Sequence, residues 1–179
     1  MKTALLVIDV QQGLFDPEPR PHEADLVIER INALGEAARA AGCPVVFIQH
    51  ERPSSALAYQ TDGWRLVSGL DAQSGDAFIR KTTPDSFLHT HLQETLESHD
   101  VRRVVVAGYA SEFCVDTTVR RAAALGYEVV IASDAHTTHD KQHASALAIR
   151  THENETLPGI TSFGPKIQAI PSTLVAFAA

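Results

Sequence analysis

The sequence has few of the features that mark secreted, membrane or nucleic-acid-binding proteins. It contains only two cysteines, Cys43 and Cys114, which give neither a disulfide framework nor a metal-binding spacing. No apolar run approaches the roughly 20 residues that span a bilayer, and Asp9 interrupts the first apolar stretch too early for a signal peptide. No basic run is present, and the net charge is −7. These absences argue against nucleic acid and membrane as partners and favour a cytoplasmic, reducing location.

The chain does contain a regular alternation of strand-like and helix-like segments over its 179 residues, 44% of which are hydrophobic. Apolar runs typical of strands buried on both faces cover residues 3–10, 44–48, 77–80, 103–107 and 128–132, with a weaker run at 166–170. Helix-period stretches cover residues 23–41, 88–99, 113–125 and 139–157. This alternation predicts one α/β domain, residues 1–179, with helices on both faces of a parallel sheet. Ligands of such sheets bind at the carboxyl ends of the strands.

Three chemically active side chains follow strands at that edge. Asp9 ends the first strand, Lys81 ends the third, and Cys114 follows the fourth where a helix begins. Taken singly, each has an ordinary interpretation: a loop-capping carboxylate, a solvated lysine and a small buried cysteine. Together they predict a thiol whose pKa is lowered by a helix N-terminus and by the lysine, with a carboxylate that moves its proton. Cys43, before a core strand, is expected to be a protonated and inert thiol.

Three stretches of the sequence resemble the motif blocks of the isochorismatase-like cysteine hydrolases. They are "LLVIDVQQGLF", "IRKTTPDSFLHTHL" and "VVVAGYASEFCVDTTVRRAAALGYEVVIASDAHTT". The resemblance implies a three-layer sandwich around a six-stranded parallel sheet of order 3-2-1-4-5-6, with Asp9, Lys81 and Cys114 as the catalytic triad. It also implies a cis peptide bond between Tyr109 and Ala110, which turns the backbone N–H groups of Ala110 and Cys114 toward one oxyanion.

The sequence departs from the nicotinamidases of this superfamily at the segment after the second strand. Those enzymes have an Asp-x-His pair and a further His there that bind a metal, whereas "IQHERPSSALAYQTDGW" offers only His50. His139 and His143 have a metal-compatible spacing on the predicted fifth helix. A solvated helix start capped by Thr138 or Asp140 is the alternative interpretation. We expect no metal and no other cofactor.

The combination of Cys114 with Lys81 favours nucleophilic chemistry on a C–N bond of a small amide, ureide or lactam. Two alternatives remain: vinyl-ether hydrolysis of the isochorismatase type, which uses the aspartate as an acid, and a non-catalytic oligomeric binding protein on the same fold. The apolar tail "STLVAFAA" and the loop around Trp64 predict a homo-oligomer, either a dimer or a tetramer. By position alone, the candidate substrate contacts are Leu14, Phe15, His50, Tyr59, Trp64, Tyr109 and Phe113.

Overall fold

Six parallel strands form the sheet that carries the candidate site. The computed structural model describes residues 1–179. Its strands are β1 (Thr3–Ile8), β2 (Val45–His50), β3 (Ala77–Lys81), β4 (Arg103–Tyr109), β5 (Glu128–Thr137) and β6 (Ile167–Ile170). Every neighbouring pair is parallel, and the strand order is β3-β2-β1-β4-β5-β6. The predicted fold class and strand order are therefore confirmed.

Helices cover both faces of the sheet because the central strands are apolar on both sides. The helices are α1 (Gln12–Phe15), α2 (Ala24–Ala40), α3 (Leu92–Ser98), α4 (Asp116–Ala124) and α5 (Ala146–Thr156). On one face, Leu5 of β1 lies in a core cluster with Ile31 of α2, and on the other, Leu6 lies in a cluster with Leu96 of α3 and Val119 of α4. Alternate residues of β1 thus serve opposite layers. None of the helices combines the length and apolar character that crossing a bilayer requires.

The fifth helix begins later than the sequence predicts. It starts at Ala146 because the Ser145 side chain accepts a hydrogen bond from the Ala148 N–H, and the Asp140 carboxylate accepts one from the Ala146 N–H at 2.7 Å. Thr138, one of the two expected caps, instead donates its hydroxyl hydrogen to Glu112. Residues 139–145 are therefore a loop, so the i, i+4 relation that made His139 and His143 a metal candidate does not exist.

The helices flanking Lys81 and Cys114 also differ from their predicted bounds. The helix expected over residues 88–99 begins at Leu92, because Asp85 accepts hydrogen bonds from the N–H groups of Phe87 and Leu88 and holds that segment in a turn. The helix expected over residues 113–125 begins earlier, as a π-helical turn (Ser111–Val115) that runs directly into α4. Cys114 is therefore the fourth residue of this turn rather than the second residue of the helix.

Gly108 is the point at which β4 approaches β1 most closely before the chain enters the site. Its φ is +120°, in a region that side-chain-bearing residues rarely adopt, and a Cβ here would overlap the carbonyl oxygen of Ile8. The ladder between β4 and β5 is also irregular between Val106 and Gly108. Gly108 thus sets the direction in which the chain leaves β4 toward Cys114.

We expect Gly108→Ala to lower the free energy of unfolding by about 3 kcal/mol or more, because strand β1 must move to admit the methyl group. Urea unfolding measures this loss. Gly75→Ala is the matched control, since a Cβ at Gly75 meets nothing within 4 Å. Equal stability of the two variants would show that the close approach at Gly108 is unimportant.

Glu153 of α5 links stability to pH. It is buried, and burial followed by the neighbouring Asp116 raises its pKa from the usual 4.5 to about 7. Between these two values the folded state holds a proton that the unfolded chain has released, so the contribution of Glu153 to stability falls as the pH rises. Buried His136 acts in the opposite direction, because burial lowers its pKa to about 4.

We therefore expect Glu153→Gln to become more stable than the parent protein as the pH rises from about 4.5 to 7. The difference in unfolding free energy should grow by an amount on the order of 3 kcal/mol across that window. Comparing variant with parent at each pH cancels the opposing contribution of His136. A difference that stays constant with pH would show that Glu153 ionises normally in the folded protein.

Candidate active site

The ends of three neighbouring strands bring the site together. Asp9 directly follows β1, His50 is the last residue of β2, and Lys81 is the last residue of β3. His50 and Lys81 are register partners in the parallel ladder, so their side chains leave the sheet at the same level. Cys114 reaches this edge from the π turn after β4. Sequence position and strand order together are enough to make these four residues neighbours.

Lys81 is the centre of this group. Its side chain is fully buried, and its ammonium lies 2.8 Å from Asp9 Oδ2 and 3.2 Å from Cys114 Sγ. Two further contacts are the Thr83 carbonyl oxygen at 3.1 Å and His50 Nδ1 at 3.2 Å. A buried ammonium is tolerated only with compensating charge and acceptors. Lys81, at the end of the edge strand β3, is therefore buried because it pairs with Asp9 beside the thiol.

Asp9 is held in an unusual backbone conformation that places its carboxylate in the site. Its φ is +53°, a left-handed value that Asp tolerates better than most residues, and its N–H donates to the Ile48 carbonyl at 2.8 Å. The side chain is buried, and Oδ1 has no hydrogen-bond partner. One carboxylate oxygen is thus committed to Lys81, whereas the other is free to accept a proton.

The pKa of Cys114 is raised, whereas the sequence led us to expect a lowered pKa. Burial, and then the negative charge of Asp9, raise this pKa to about 12, and the ammonium of Lys81 only partly offsets them. The expectation of a lowered pKa is wrong because it considered the helix and the lysine but neither the burial of the sulfur nor the second charge. At neutral pH, the resting side chain is a thiol.

The charges of the triad explain where the thiol proton can go. With Cys114 protonated, the site holds one carboxylate and one ammonium and is electrically balanced. Loss of the proton to solvent would leave a net negative charge in a buried site, which is costly. Transfer of the proton to Asp9 keeps the balance and leaves a thiolate beside Lys81. The geometry therefore favours proton transfer within the site over release to solvent.

Backbone and side-chain hydrogen bonds hold the turn that contains Cys114. The peptide bond between Tyr109 and Ala110 is cis, and the Ala110 carbonyl accepts hydrogen bonds from the N–H groups of Phe113 and Val115. The Ala110 N–H, in contrast, donates to no group of the chain. Ser111 is the first residue of the π turn, and its Oγ lies 2.8 Å from Nδ1 of the buried His136.

His136 connects Ser111 to Asn154 through the two nitrogens of its ring. Sequence analysis did not identify this residue. Its Nε2 lies 3.0 Å from Asn154 Oδ1, and Asn154 donates in turn to the Ser133 carbonyl at 2.8 Å. Because an amide oxygen only accepts, Nε2 carries the hydrogen, and Nδ1 accepts from the Ser111 hydroxyl. A neutral ring agrees with the lowered pKa of His136. The only signal in the sequence was a histidine four residues after the predicted buried strand at 128–132.

Gln11 is a second structural residue that sequence analysis missed. It is fully buried, its Nε2 donates to the carbonyls of His50 and Trp64 at 3.0 and 2.7 Å, and its Oε1 accepts from the His50 N–H at 2.9 Å. Gln49 also donates to the Trp64 carbonyl. These bonds tie the loop after β2 to the edge of the sheet. An amide two residues after Asp9, directly past the apolar run of β1, was the available signal.

Of the predicted substrate contacts, three lie beside the triad. His50 touches Lys81, Phe113 precedes the thiol and is 55% exposed, and the hydroxyl of Tyr109 lies 2.9 Å from His139 Nδ1. Burial raises the pKa of Tyr109 to about 12, and the charges of Glu112, Cys114 and Asp9 add to this effect. Tyr109 is therefore close enough to the triad to be influenced by its charges.

The other four predicted contacts have different surroundings. Tyr59 and Trp64 pack edge to face at 5.0 Å, and the guanidinium of Arg80 lies 3.6 Å from the centre of the Tyr59 ring. Leu14 packs against the core, and Phe15 is completely buried. Phe15 offers no surface to a ligand because it fills the space under Tyr109, with the two rings 5.8 Å apart. Its assignment as a substrate contact is corrected accordingly.

The same edge offers a set of potential metal ligands, but an ammonium lies among them. A carboxylate oxygen of Asp9, a ring nitrogen of His50 and Sγ of Cys114 lie within 4.8 Å of one another. The Lys81 Nζ contacts all three residues at 2.8–3.2 Å. A divalent cation at this point would face the positive charge of Lys81 directly, so the arrangement present does not fit a metal.

Comparison with known proteins agrees with this geometry. Residues 3–162 match the isochorismatase domain, and the chain therefore belongs to the isochorismatase family. It is a hydrolase of that family. A crystal structure of an isochorismatase family protein superimposes with a TM-score of 0.86 at 33% identity, covering 94% of this chain and 97% of that one.

Two kinds of characterised relative bear on the reaction. A streptothricin hydrolase of Streptomyces noursei is 33% identical over 98% of this chain and 71% of its own length. Another streptothricin hydrolase from the same organism is 38% identical over 76% of this chain, but the match spans only 50% of that protein. The ureidoacrylate amidohydrolase RutB of Stutzerimonas stutzeri is 28% identical over 98% of this chain and 86% of its own length.

Proposed function

We propose that the protein hydrolyses a C–N bond of a small amide, ureide or lactam through a thioester on Cys114. The observation that carries this proposal is the contact of one buried ammonium with both the thiol and the carboxylate, together with the free Oδ1 of Asp9. The similarity to an amidohydrolase and to streptothricin hydrolases supports the same class of reaction. Small-molecule amides are thus the substrates to test.

The first half of the reaction forms the thioester. Asp9 accepts the thiol proton as Sγ of Cys114 attacks the substrate carbonyl, and Lys81 stabilises the negative charges of the site. The carbonyl oxygen becomes an oxyanion, which accepts hydrogen bonds from the backbone N–H groups of Ala110 and Cys114. The C–N bond then breaks, and Asp9 returns the proton to the departing nitrogen.

The second half releases the acid and restores the enzyme. Asp9, ionised again, accepts a proton from water as the water oxygen attacks the thioester carbonyl. The C–S bond breaks, and the sulfur recovers the proton from Asp9. Each half-reaction therefore uses Asp9 first as a base and then as an acid, and the site ends with the same thiol, carboxylate and ammonium. The unpartnered N–H of Ala110 supports the oxyanion role in both halves.

A turnover screen tests this function most directly. The protein is incubated with small amides, ureides and lactams; released ammonia or amine is measured for the first two, and the ring-opened amino acid for the lactams. Turnover of at least one C–N substrate is expected. Cleavage of isochorismate without any C–N turnover would establish the vinyl-ether alternative, and no turnover of either class would favour a binding protein.

We also propose that the three predicted contacts beside the triad, His50, Tyr109 and Phe113, form the near wall of the substrate site. Phe113 supports this proposal because a half-exposed aromatic ring directly precedes the nucleophile. We further propose a reducing, cytoplasmic setting, in which both Cys43 and Cys114 remain free thiols as they are in the structure.

A homo-oligomer, either a dimer or a tetramer, is expected from the apolar tail. Val175 and Phe177 pack partly against the core of their own chain, but Leu174 is 70% exposed and remains available to a second copy. Sedimentation velocity at micromolar concentration should therefore show a species larger than 19.4 kDa, and Leu174→Glu should shift it toward the monomer. A monomeric parent protein under the same conditions would contradict this proposal.

A further inference from the structure

Lys81 is surrounded by more hydrogen-bond acceptors than it has hydrogens. Four acceptors lie within hydrogen-bond distance of Nζ: Asp9 Oδ2 at 2.8 Å, the Thr83 carbonyl at 3.1 Å, and His50 Nδ1 and Cys114 Sγ at 3.2 Å each. A lysine ammonium carries three N–H hydrogens. One of the four acceptors is therefore always left without a full hydrogen bond.

The competition is between His50 and Cys114. Asp9 is ionised and has the shortest contact, and charge-assisted hydrogen bonds are the stronger ones. Thr83 follows Lys81 by only two residues, so its carbonyl stays close to the lysine. His50 and Cys114 share the longest distance, and of these two the sulfur is the atom whose charge changes during the reaction.

The ring of His50 is in the state that can accept this hydrogen. Its pKa is lowered by burial and then by the charge of Lys81, against the smaller opposite effects of Asp9 and of the Thr83 backbone, and Arg52 lowers it slightly further. The ring is therefore neutral at pH 7. A hydrogen on Nδ1 would point at the ammonium, so the tautomer that fits carries its hydrogen on Nε2 and presents the Nδ1 lone pair to Lys81.

We propose that His50 is a positioning residue that shares one hydrogen of Lys81 with Cys114. While Cys114 is a neutral thiol, His50 holds this hydrogen and keeps the ammonium in place. When the sulfur becomes a thiolate, the hydrogen turns to the charged and stronger acceptor, and His50 releases it. His50 thus stabilises the resting thiol relative to the thiolate.

This inference rests on the proposed role of Cys114 as the nucleophile, but its test measures the thiol rather than turnover. Peptide-resolved mass spectrometry follows iodoacetamide alkylation of Cys114 as a function of pH, with Cys43 as the internal reference. His50→Phe keeps a flat ring of similar size without a ring nitrogen. His50→Leu is a second variant without an acceptor, and His50→Gln keeps a side-chain oxygen that can accept from Lys81.

The two variants without an acceptor should alkylate at Cys114 about threefold to tenfold faster at neutral pH, which corresponds to one net hydrogen bond. The pH at which alkylation of Cys114 reaches half of its maximal rate should fall by a corresponding amount in both variants. In His50→Gln, the alkylation rate and this pH should stay near those of the parent protein. Adding Lys81→Met to His50→Phe should abolish the gain, since the shared hydrogen is then gone.

Other results would overturn the inference. Unchanged or slower alkylation in His50→Phe and His50→Leu would show that His50 does not hold the hydrogen of Lys81. An equal gain in His50→Gln, or a gain that persists without Lys81, would show that the effect comes from opening the site to water. Cys114→Ala that still hydrolyses its substrate would refute the proposed function independently of these rates.

Discussion

Cys114→Ala should lower kcat/KM for the C–N substrate by about three orders of magnitude or more while leaving the fold intact. The sulfur is the only thiol or hydroxyl group among the side chains that contact Lys81, and alanine removes it without adding bulk. Binding need not weaken to the same extent, because the loss falls on a bond formed only in the reaction. Steady-state kinetics, with circular dichroism to verify the fold, measure the effect.

Cys43→Ala is the matched control for this experiment. Cys43 is buried on the opposite side of the sheet from the α3–α4 layer, and the one hydrogen bond of its Sγ is to the Ala41 carbonyl, at 3.9 Å. Its loss should lower stability slightly and leave kcat unchanged. Near-parent activity in Cys114→Ala would exclude the thioester, and the vinyl-ether reaction, in which the aspartate acts as an acid, would take its place.

The sequence was sufficient to predict the parts of the site that depend on strand ends. Strands buried on both faces leave nearly continuous apolar runs, and the polar residue that ends each run is visible without a structure. Asp9 was found in this way, and Lys81 and Cys114 by their places after the third and fourth runs, although β3 proves to be an edge strand with an exposed face. The motif blocks added the strand order. The late start of α5 was missed for a local reason: Thr138, Asp140 and Ser145 are all acceptable helix caps. The contact of Thr138 with Glu112 and the hydrogen bonds that Asp140 and Ser145 accept at the start of α5 decide among them.

The ionisation of the thiol could not be predicted because it depends on distances between segments far apart in the chain. A helix start and a lysine both lower a thiol pKa, but burial and the charge of Asp9 act in the opposite direction and are larger. The support provided by Gln11 and His136 was missed for the same reason, since their partners lie 39 and 18 residues or more away. Residue types led to the proposed reaction, whereas the protonation state of the thiol required the packed structure.

Because the resting side chain of Cys114 is a thiol, we expect a substitution of Asp9 to change two rates in opposite directions. These are the rate of hydrolysis and the rate of Cys114 alkylation. Asp9→Asn keeps an oxygen that can accept from Lys81, but an amide cannot take up the thiol proton. Hydrolysis should fall by about 10²- to 10⁴-fold, the range for a lost general acid–base group. Alkylation of Cys114 by iodoacetamide at neutral pH should become faster, because the negative charge that raises its pKa is gone and Lys81 alone faces the sulfur.

The opposite signs separate a proton-transferring role from a structural one. If Asp9 only held the fold together, Asp9→Asn would disturb the site, and hydrolysis and labelling would fall together. The exposed carboxylate of Asp16 provides the control, since Asp16→Asn should leave both rates near those of the parent protein. Slower labelling of a folded Asp9→Asn protein would show that Asp9 favours the thiolate, contrary to the charge balance of the buried site. Faster labelling together with lost hydrolysis is the result expected if Asp9 carries the proton between sulfur, departing nitrogen and water.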